Sequence, residues 1–248
     1  MDLKLPKRPL KPRSTGRTCL TDTGSTMAQV AAMLEDFGAY VDVAKLGVGS
    51  AYVTPRLGEK IALYQKYDVD VYFGGTLTEK AIVQNKFDAL MDYIESMNVT
   101  SIEISSGSAD IHHDQVLKLI EKAKSRFTVY TEIGSKDADQ IMAPSQWIAR
   151  LKEALDAGSS FVICEGRDSG TAGIFRKSGE LRTGLVADIG AQLPPEKLIW
   201  EAPTQSSQMH MIMAFGANEN LGNIKPEDVL ILEAERVGLR YETFELEA

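Results

Sequence analysis

The chain contains few of the residues that mark secreted proteins, zinc modules and membrane proteins. It has two cysteines, Cys19 and Cys164, both inside apolar runs and far from any CxxC spacing. Such thiols are expected to be buried and reduced, which excludes a disulfide framework and a cysteine zinc site. The sequence also has no signal-peptide core and no apolar run long enough to cross a bilayer. We therefore expect a cytoplasmic protein with no membrane partner.

Positive charge and histidine are also scarce. The net charge is −8, and basic residues crowd together only between Lys4 and Arg17. An acidic chain without a basic stripe excludes nucleic acid as the default partner. With 44% hydrophobic and 25% charged residues, the composition is that of a globular protein. The three histidines, His112, His113 and His210, lie apart from the acidic positions described below.

Short apolar runs alternate with amphipathic helical segments along the whole chain. Alternation at this spacing predicts parallel strands joined by helices, and eight such units in 248 residues predict a single-domain (β/α)8 TIM barrel of the α/β class. The predicted strands are 18–21, 40–46, 69–73, 101–105, the stretch 129–136, 161–165, 198–201 and 220–224. The predicted helices are 27–37, 55–67, 79–97, a segment from a cap at 110 to 123, 144–157, 184–193, 207–215 and 227–237.

The domain boundaries follow from this alternation. Residues 1–16 form a basic N-terminal lead, 17–240 the barrel and 241–248 a C-terminal tail. One connection, 166–182, is long and rich in glycine, serine and charge, which is typical of a functional or mobile loop. An open doubly wound sheet is the alternative architecture. It would need a G-x-G-x-x-G turn after the first strand, and the sequence has none there.

Four of the predicted strands end in a glutamate: Glu103, Glu132, Glu165 and Glu201. In a barrel the carboxyl ends of all strands share one face, so these side chains are expected to meet. Carboxylates that crowd together raise one another's pKa unless a cation offsets them. Oxygen ligands of this kind suit Mg2+ or Mn2+, whereas zinc prefers histidine or cysteine. The pattern predicts a metal site, although any one of these glutamates could equally be a salt-bridge partner.

Cations and glycine-rich turns accompany the glutamates. Lys45, Lys136 and Arg167 lie at strand ends or just beyond them. Backbone N–H groups in Gly74-Gly75-Thr76 and Gly222-Asn223 could cradle a phosphate or carboxylate, although such turns are often plain turns. Asp22 follows the first strand, while Lys11 and Arg13 precede it, where pattern alone favours a solvated tail. The residues together predict a metal-assisted reaction on a small anion.

An ordered set of motifs carries a resemblance that runs from about residue 11 to about residue 240. The motifs are Lys11-Pro12-Arg13, Asp22-x-Gly24, Lys45-x-Gly47, Gly74-Gly75-Thr76-Leu77, Glu103-Ile104-Ser105, Glu132-x-Gly134-x-Lys136, Glu165-Gly166-Arg167-x-Ser169-Gly170, Glu201-Ala202-Pro203 and Asn220-Leu221-Gly222-Asn223-Ile224. The chain resembles the phosphosulfolactate synthase family, which also includes plant heat-stress-associated relatives. That resemblance implies a (β/α)8 barrel that adds sulfite to phosphoenolpyruvate with Mg2+, a lyase-type reaction on the route to coenzyme M.

The resemblance also implies residue roles. Lys136 would be the general acid, with Arg167 and Lys45 beside it in catalysis, and the four glutamates would hold the metal. Lys11 and Arg13 would join them in holding phosphate, carboxylate or sulfite. The remaining substrate-binding residues implied are Asp22, Gly74, Gly75, Thr76, Gly222 and Asn223. The resemblance further implies a homo-oligomer.

The chain departs from the family pattern after four of its predicted strands. After the seventh, Ser207-Gln208 stands where a pair of glutamines is expected. Asp22-Thr23-Gly24 stands where Asp-Lys-Gly is expected, Gly47-Val48-Gly49 where Gly-Trp-Gly is expected, and Ser105-Ser106-Gly107 where Ser-Asp-Gly is expected. One cation and one carboxylate are lost. Two alternatives therefore stay open: a paralogue that acts on another phosphoenolpyruvate-like acid or uses another nucleophile, and a non-catalytic, stress-related binding barrel.

Overall fold

Eight parallel strands alternate with helices in the computed structural model, which describes residues 3–137 and 139–246. The strands are β1 (Thr18–Asp22), β2 (Val43–Leu46), β3 (Asp70–Phe73), β4 (Ser101–Ile104), β5 (Thr128–Ile133), β6 (Phe161–Cys164), β7 (Leu198–Glu201) and β8 (Leu221–Ile224). The helices are α1 (Met27–Phe37), α2 (Ser50–Val53), α3 (Leu57–Lys66), α4 (Gly75–Val83), α5 (Phe87–Ser96), α6 (His113–Ala123), α7 (Pro144–Ala157), α8 (Thr183–Gly190), α9 (Gln205–Phe215) and α10 (Val229–Arg236).

The strands form one nearly closed sheet in the order β3-β2-β1-β8-β7-β6-β5-β4. Within the described residues no backbone ladder joins β3 to β4, and side chains bridge this seam instead. The Ser101 hydroxyl donates to the Asp70 carboxylate at 2.5 Å, and the Gly75 N–H donates to Glu103 Oε1 at 2.7 Å. The predicted single-domain (β/α)8 barrel is confirmed.

Side chains alternate between the barrel interior and the helix layer, because successive residues of a strand point to opposite faces. A small interior cluster fills the axis with Cys19, Val43, Tyr72, Tyr130, Ile163 and Ile199. Four of these residues are followed, two positions further along the strand, by an ionisable side chain. The pairs are Val43 with Lys45, Tyr130 with Glu132, Ile163 with Glu165, and Ile199 with Glu201. An apolar interior layer is therefore succeeded by a charged one toward the carboxyl ends.

Most predicted elements appear with small shifts at their ends, and α1, α7 and β7 have the predicted bounds. The predicted long helix 79–97 is wrong, since α4 and α5 are separate helices. Asn85 lies between them with a left-handed φ of 54°. This conformation cannot continue a right-handed helix, although the apolar spacing runs on through it. The predicted helix 55–67 is likewise preceded by the short α2.

The chain ends pack against the barrel where they are described. Arg8 in the basic lead pairs with Glu233 of α10 at 2.9 Å, and the predicted tail contains a short 3-10 helix, Tyr241–Thr243, with Thr243 buried. The outermost parts of the predicted lead and tail, residues 1–2 and 247–248, lie outside the described residues. No helix in the described part of the chain combines the length and the apolar character needed to span a bilayer.

Candidate active site

Lys45 lies at the centre of the charged layer. Its ammonium group, on β2, is 3.0 Å from Glu103 Oε2, 3.1 Å from Glu132 Oε2 and 3.3 Å from Glu201 Oε1. These carboxylates come from β4, β5 and β7, and all are buried. Because each strand contributes an inward-pointing residue at the same depth, groups far apart in sequence meet on the barrel axis. Lys45 therefore links three strands through ion pairs.

Glu132, Glu165 and Glu201 form a second, overlapping group. One carboxylate oxygen from each lies within 4.8 Å of the others, close enough for the three to hold one metal ion. Backbone groups fix two of the three side chains. The Gly166 N–H donates to Glu201 Oε2 at 2.8 Å, and the Arg167 N–H donates to Glu165 Oε1 at 2.7 Å. Glu103 stands outside this group, held by Lys45 and the Gly75 N–H.

Lys136 lies on the loop that follows β5. Its ammonium group is 3.5 Å from Glu132 Oε1 and 3.5 Å from the Ser108 hydroxyl. Gly134 makes the turn between strand and lysine with a φ of 135°, and a Cβ at this position would come within 2.4 Å of the Glu165 side chain. The glycine is required both by its backbone conformation and by that close approach. The turn carries Lys136 back over the carboxylates.

The two ammonium groups are held in their charged forms by the carboxylates. Burial opposes the charge of Lys45, but Glu103, Glu132 and Glu201 outweigh it and raise the pKa of the lysine well above its ordinary value. The Glu132 carboxylate also raises the pKa of Lys136, against the effect of burial. Glu132 responds in the opposite sense, since Lys45 and Lys136 overcome the effect of burial and lower its pKa. Both lysines are therefore protonated at neutral pH.

The other three carboxyl groups have too few cations near them to offset the effect of burial. Burial raises the pKa of Glu103 to about 7, although Lys45 opposes the shift. Burial and the neighbouring charges of Glu132 and Glu201 raise the pKa of Glu165 well above its ordinary value, and burial likewise raises that of Glu201. Four carboxyl groups face two ammonium groups here. A further cation would relieve this imbalance.

The metal-free protein should lose stability as the pH rises from about 4.5 to about 7. Groups whose pKa is raised in the folded state bind more protons there than in the unfolded chain, so stability falls as they ionise. Glu103 alone, with a folded pKa of about 7, accounts for at most about 3 kcal/mol of this loss. The contribution of Glu132, whose pKa is lowered, is lost only on further acidification, and those of the two lysines only near pH 10 or above.

Urea unfolding in a chelating buffer at about pH 5 and about pH 7.5 would measure this dependence. We expect the higher free energy of unfolding at the lower pH. An equal or higher free energy at pH 7.5 would show that the carboxyl groups are not under this strain.

A cavity of about 190 Å³ opens above the cluster at the carboxyl ends of the strands. Residues predicted for the site that line it are Lys45, Gly74, Gly75, Thr76, Glu132, Lys136, Glu165, Arg167, Glu201 and Asn223. Glu103 lies beneath, bonded to Lys45, and Gly222 pairs with Glu201 across β7 and β8. The Arg167 side chain is half exposed, and its nearest ion-pair partner among the described residues is Asp168 at 3.8 Å. The volume suits a small ligand.

Lys11 and Arg13 are not brought to this cavity. They lie at the opposite, amino-terminal end of the barrel. The Lys11 ammonium group donates to the carbonyl oxygens of Gly38, Val41 and Tyr67, at 2.6 to 3.2 Å. Arg13 donates to the Ala39 carbonyl at 2.6 Å and pairs with Asp42 at 3.1 Å. Both cations tie the N-terminal lead to the barrel, so the substrate-binding role expected for them is withdrawn.

Asp22 also points away from the cavity. Its carboxylate accepts hydrogen bonds from Lys60 at 2.7 Å and from the Tyr64 hydroxyl at 3.0 Å, both on α3, and from the backbone N–H groups of Gly24 and Ser25. Asp22 is therefore a buried residue whose hydrogen bonds connect β1 to α3. We leave Asp22 out of the proposed substrate contacts.

Glu79 is a buried residue near the site that sequence reasoning did not select. It lies on α4, and its carboxylate accepts hydrogen bonds from the Ser105 hydroxyl and from the N–H groups of Gly107, Ser108 and Ala109. The strand-end pattern does not mark Glu79, because it lies one helical turn beyond Gly75. Residues four apart share a helix face, so its spacing from Gly75 is the sequence signal that points to it.

A barrel with ionisable side chains collected at the carboxyl ends of its strands belongs to the large class of (β/α)8-barrel enzymes. The family model described as (2R)-phospho-3-sulfolactate synthase (ComA) matches residues 6–242. The chain belongs to the phosphosulfolactate synthase family, which confirms the resemblance drawn from its motifs.

Relatives in three organisms illustrate the breadth of the family. A phosphosulfolactate synthase of Bacillus subtilis is 36% identical over 245 residues, 98% of this chain and 97% of the relative. One of Methanothermobacter thermautotrophicus is also 36% identical, over 98% of this chain and 96% of its own. A protein of Arabidopsis thaliana named HEAT-STRESS-ASSOCIATED 32 is 21% identical, over 86% of this chain and 83% of its own. The chain is thus more similar to the named synthases than to the plant protein.

Solved structures with the same architecture are distant in sequence. A 3-hexulose-6-phosphate synthase superposes with a TM-score of 0.57 at 15% identity, covering 89% of this chain and 99% of that one. A phosphonopyruvate hydrolase, solved with oxalate and Mg2+, superposes with a TM-score of 0.55 at 10% identity, covering 87% of this chain and 77% of that one. At these identities the similarity supports the barrel fold alone.

Proposed function

We propose that this protein catalyses the Mg2+-dependent addition of sulfite to phosphoenolpyruvate, giving phosphosulfolactate. The observation that carries the proposal is the convergence of three buried carboxylates within 4.8 Å of one another, with the Lys136 ammonium group 3.5 Å from one of them. Family membership supports the same reaction, because the most similar relatives described above are named phosphosulfolactate synthases.

Glu132, Glu165 and Glu201 are the residues proposed to hold the metal. Glu165 Oε2 is buried and has no hydrogen-bond partner within the described residues, so it has a free lone pair to offer. An all-carboxylate set suits Mg2+, and Mn2+ prefers the same oxygen ligands. When bound, Mg2+ supplies positive charge that stabilises negative charge developing on the substrate carboxylate. Such a cation would also correct the shortage of positive charge in the cluster.

The anionic groups of the substrates need donors from the chain itself. Arg167, at the rim of the cavity, offers a planar guanidinium group that suits phosphate or sulfite. Thr76 in the first turn of α4 and Asn223 in β8 line the same cavity. Helix N-termini and amide groups supply further donors to phosphate. Lys45 lines the base of the cavity and pairs with Glu103, Glu132 and Glu201, and we propose that it keeps these carboxylates in place.

The atoms and electrons of the proposed addition balance with sulfite, phosphoenolpyruvate and one proton. The sulfur lone pair of sulfite forms a bond to the methylene carbon of phosphoenolpyruvate, and the π electrons of the double bond move toward the carboxylate. Lys136 then gives its proton to the middle carbon, and solvent reprotonates the lysine. The phosphate ester stays intact. The raised pKa of Lys136 supports its role as the acid, because the protonated form is the one present at neutral pH.

Loss of the ultraviolet absorbance of phosphoenolpyruvate, followed with purified protein, tests the proposal. We expect turnover only when sulfite, phosphoenolpyruvate and Mg2+ are all present, and mass spectrometry should detect phosphosulfolactate. Binding of phosphoenolpyruvate without turnover under any condition would favour the non-catalytic barrel. Turnover only with another phosphorylated acid or another nucleophile would favour a paralogue.

The cytoplasmic location and the homo-oligomer expected from the sequence stay predictions. Fractionation of cells that produce the protein would test the first, and sedimentation of the purified protein would test the second.

A further inference from the structure

We propose that Glu79 is a positioning residue of the active site, acting on Lys136 through the loop Ser105–Ala109, which we call the β4 loop. The inference depends on the proposed function in one respect, the role of Lys136 as the general acid. Glu79 does not line the cavity, and the residue is 1% exposed on the inner face of α4.

The Glu79 carboxylate accepts hydrogen bonds from four of the five residues of the β4 loop. Glu79 Oε1 accepts a hydrogen bond from the Ser105 hydroxyl and another from the Gly107 N–H at 3.1 Å. Its Oε2 accepts from the N–H groups of Ser108 and Ala109, both at 2.7 Å. Bonds from backbone N–H groups to an ionised acceptor are among the strong ones in proteins. Three consecutive N–H groups therefore converge on one anion.

The negative charge of Glu79 is balanced by these donors and by no side-chain cation within ion-pair distance in the described residues. A buried carboxylate is costly unless its lone pairs are satisfied, and the β4 loop satisfies both oxygens. The loop in turn has no helix or strand of its own. Carboxylate and loop are thus mutually dependent, and removing the carboxylate leaves three backbone donors unpaired.

The β4 loop rests directly on the proposed acid. A Cβ added to Gly107 would lie 3.3 Å from both Cγ and Cε of Lys136 and 3.1 Å from Glu165 Oε2. The backbone of the loop is therefore packed against the alkyl chain of the lysine. The Ser108 hydroxyl is 3.5 Å from the Lys136 ammonium group. A loop free to move would release one wall of the space that Lys136 occupies.

One helix organises two parts of the site. The Gly75 N–H, at the start of α4, holds Glu103, and Glu79, one turn later on the same face, holds the β4 loop. A Cβ at Gly75 would collide with Glu103 and Ser105 at 2.4 and 2.1 Å, so helix, strand end and loop are in close contact there. The position of α4 thus sets the geometry on the β4 side of the cavity.

Glu79→Gln is the test, because glutamine keeps the size of the side chain but presents an NH2 group to N–H donors. We expect amide hydrogen exchange in the β4 loop to quicken at least tenfold. We expect kcat to fall 10- to 100-fold, the range typical of residues that orient a functional group, with KM for phosphoenolpyruvate changed less than threefold. Glu79→Asp, which keeps the charge, should recover part of the loss.

Glu235→Gln is the matched control. Glu235 is also a fully buried carboxylate on an outer helix, paired with Arg240 at 2.7 Å, but it belongs to α10 and contacts no part of the β4 loop. It should leave kcat and loop exchange unchanged, whatever its effect on the thermal midpoint. If Glu79→Gln likewise showed normal kcat and normal loop exchange, Glu79 would be structural only and the proposal would fail.

A second variant covers the case in which Glu79→Gln does not fold. Gly107→Ala keeps Glu79 and its bonds but places a methyl group against Lys136 and Glu165. It should lower kcat at least tenfold, and an unchanged kcat would contradict the proposal. The labelling rate of the Lys136 amine by an acylating reagent, read by mass spectrometry, needs no substrate. It should rise in Glu79→Gln and Glu79→Asp even if the protein proves not to use sulfite, which separates this inference from the proposed function.

Discussion

Lys136→Ala is expected to lower kcat about a thousandfold, because a positioned general acid contributes roughly 10²- to 10⁴-fold. The lysine side chain is 29% exposed, and Lys45 remains to pair with Glu132 after its removal. We therefore expect the thermal midpoint to fall by less than about 5 °C, the equivalent of one to two kcal/mol in a chain of this size. Binding of phosphoenolpyruvate with Mg2+, measured by calorimetry, should weaken less than tenfold.

Lys152→Ala is the control for this substitution. Lys152 is an exposed lysine of α7 whose ammonium group donates only to Gln192, at 3.0 Å, within the described residues. It should have the kcat of the unmodified protein. If Lys136→Ala also retained full kcat, the proton would have to come from another group, and the assignment of the acid would be wrong.

Glu165→Gln is expected to abolish activity and yet leave the metal-free protein at least as stable as before. The raised pKa of Glu165 reflects a buried carboxyl group that loses stability when it ionises. Glutamine removes that charge, and its amide oxygen can still accept the Arg167 N–H bond. We expect the free energy of unfolding at neutral pH to stay the same or rise by up to about 2 kcal/mol, as for other residues whose function opposes stability.

The same substitution should weaken Mg2+ binding by about 100-fold or more, since even an outer-shell partner of a metal ligand is worth roughly 10- to 100-fold. Calorimetric titration with Mg2+ would measure it. Glu121→Gln, on the exposed surface of α6, is the control and should bind Mg2+ normally. A Glu165→Gln protein that bound Mg2+ normally but unfolded more easily would show that Glu165 is a structural anion and not a ligand.

The barrel and the cluster of glutamates were predictable because each depends on a pattern that repeats along the sequence. The alternation of strands and helices predicts the architecture, and a glutamate at each of four strand ends predicts the cluster. Three of these glutamates pair with Lys45, and Glu165 lies beside two of the three. The alternation of side chains between the two faces of a strand also explains why Asp22 lies outside the site. Thr21 faces the cavity and Leu20 joins the outer core, so Asp22 shares the outward face with Leu20 and meets α3.

The prediction that Lys11 and Arg13 reach the cavity was wrong, because a motif does not show at which end of the barrel its residues lie. Both precede β1, whose amino end faces away from the cavity, so the lead lies at that end unless the chain folds over the barrel. Their bonds to loop carbonyls confirm the simpler path. Glu79 escaped notice for a different reason. Its partners are backbone N–H groups of a loop without periodicity, and no sequence pattern marks which donors a loop will present.

The most direct test of the account is to run the reaction in D2O with phosphoenolpyruvate, sulfite and Mg2+ and to examine the product by proton NMR and mass spectrometry. The account predicts phosphosulfolactate with the phosphate intact, a new carbon–sulfur bond at the methylene carbon and one deuterium at the middle carbon, in a single stereoisomer. Absence of this product under conditions in which Mg2+ and phosphoenolpyruvate demonstrably bind would contradict it.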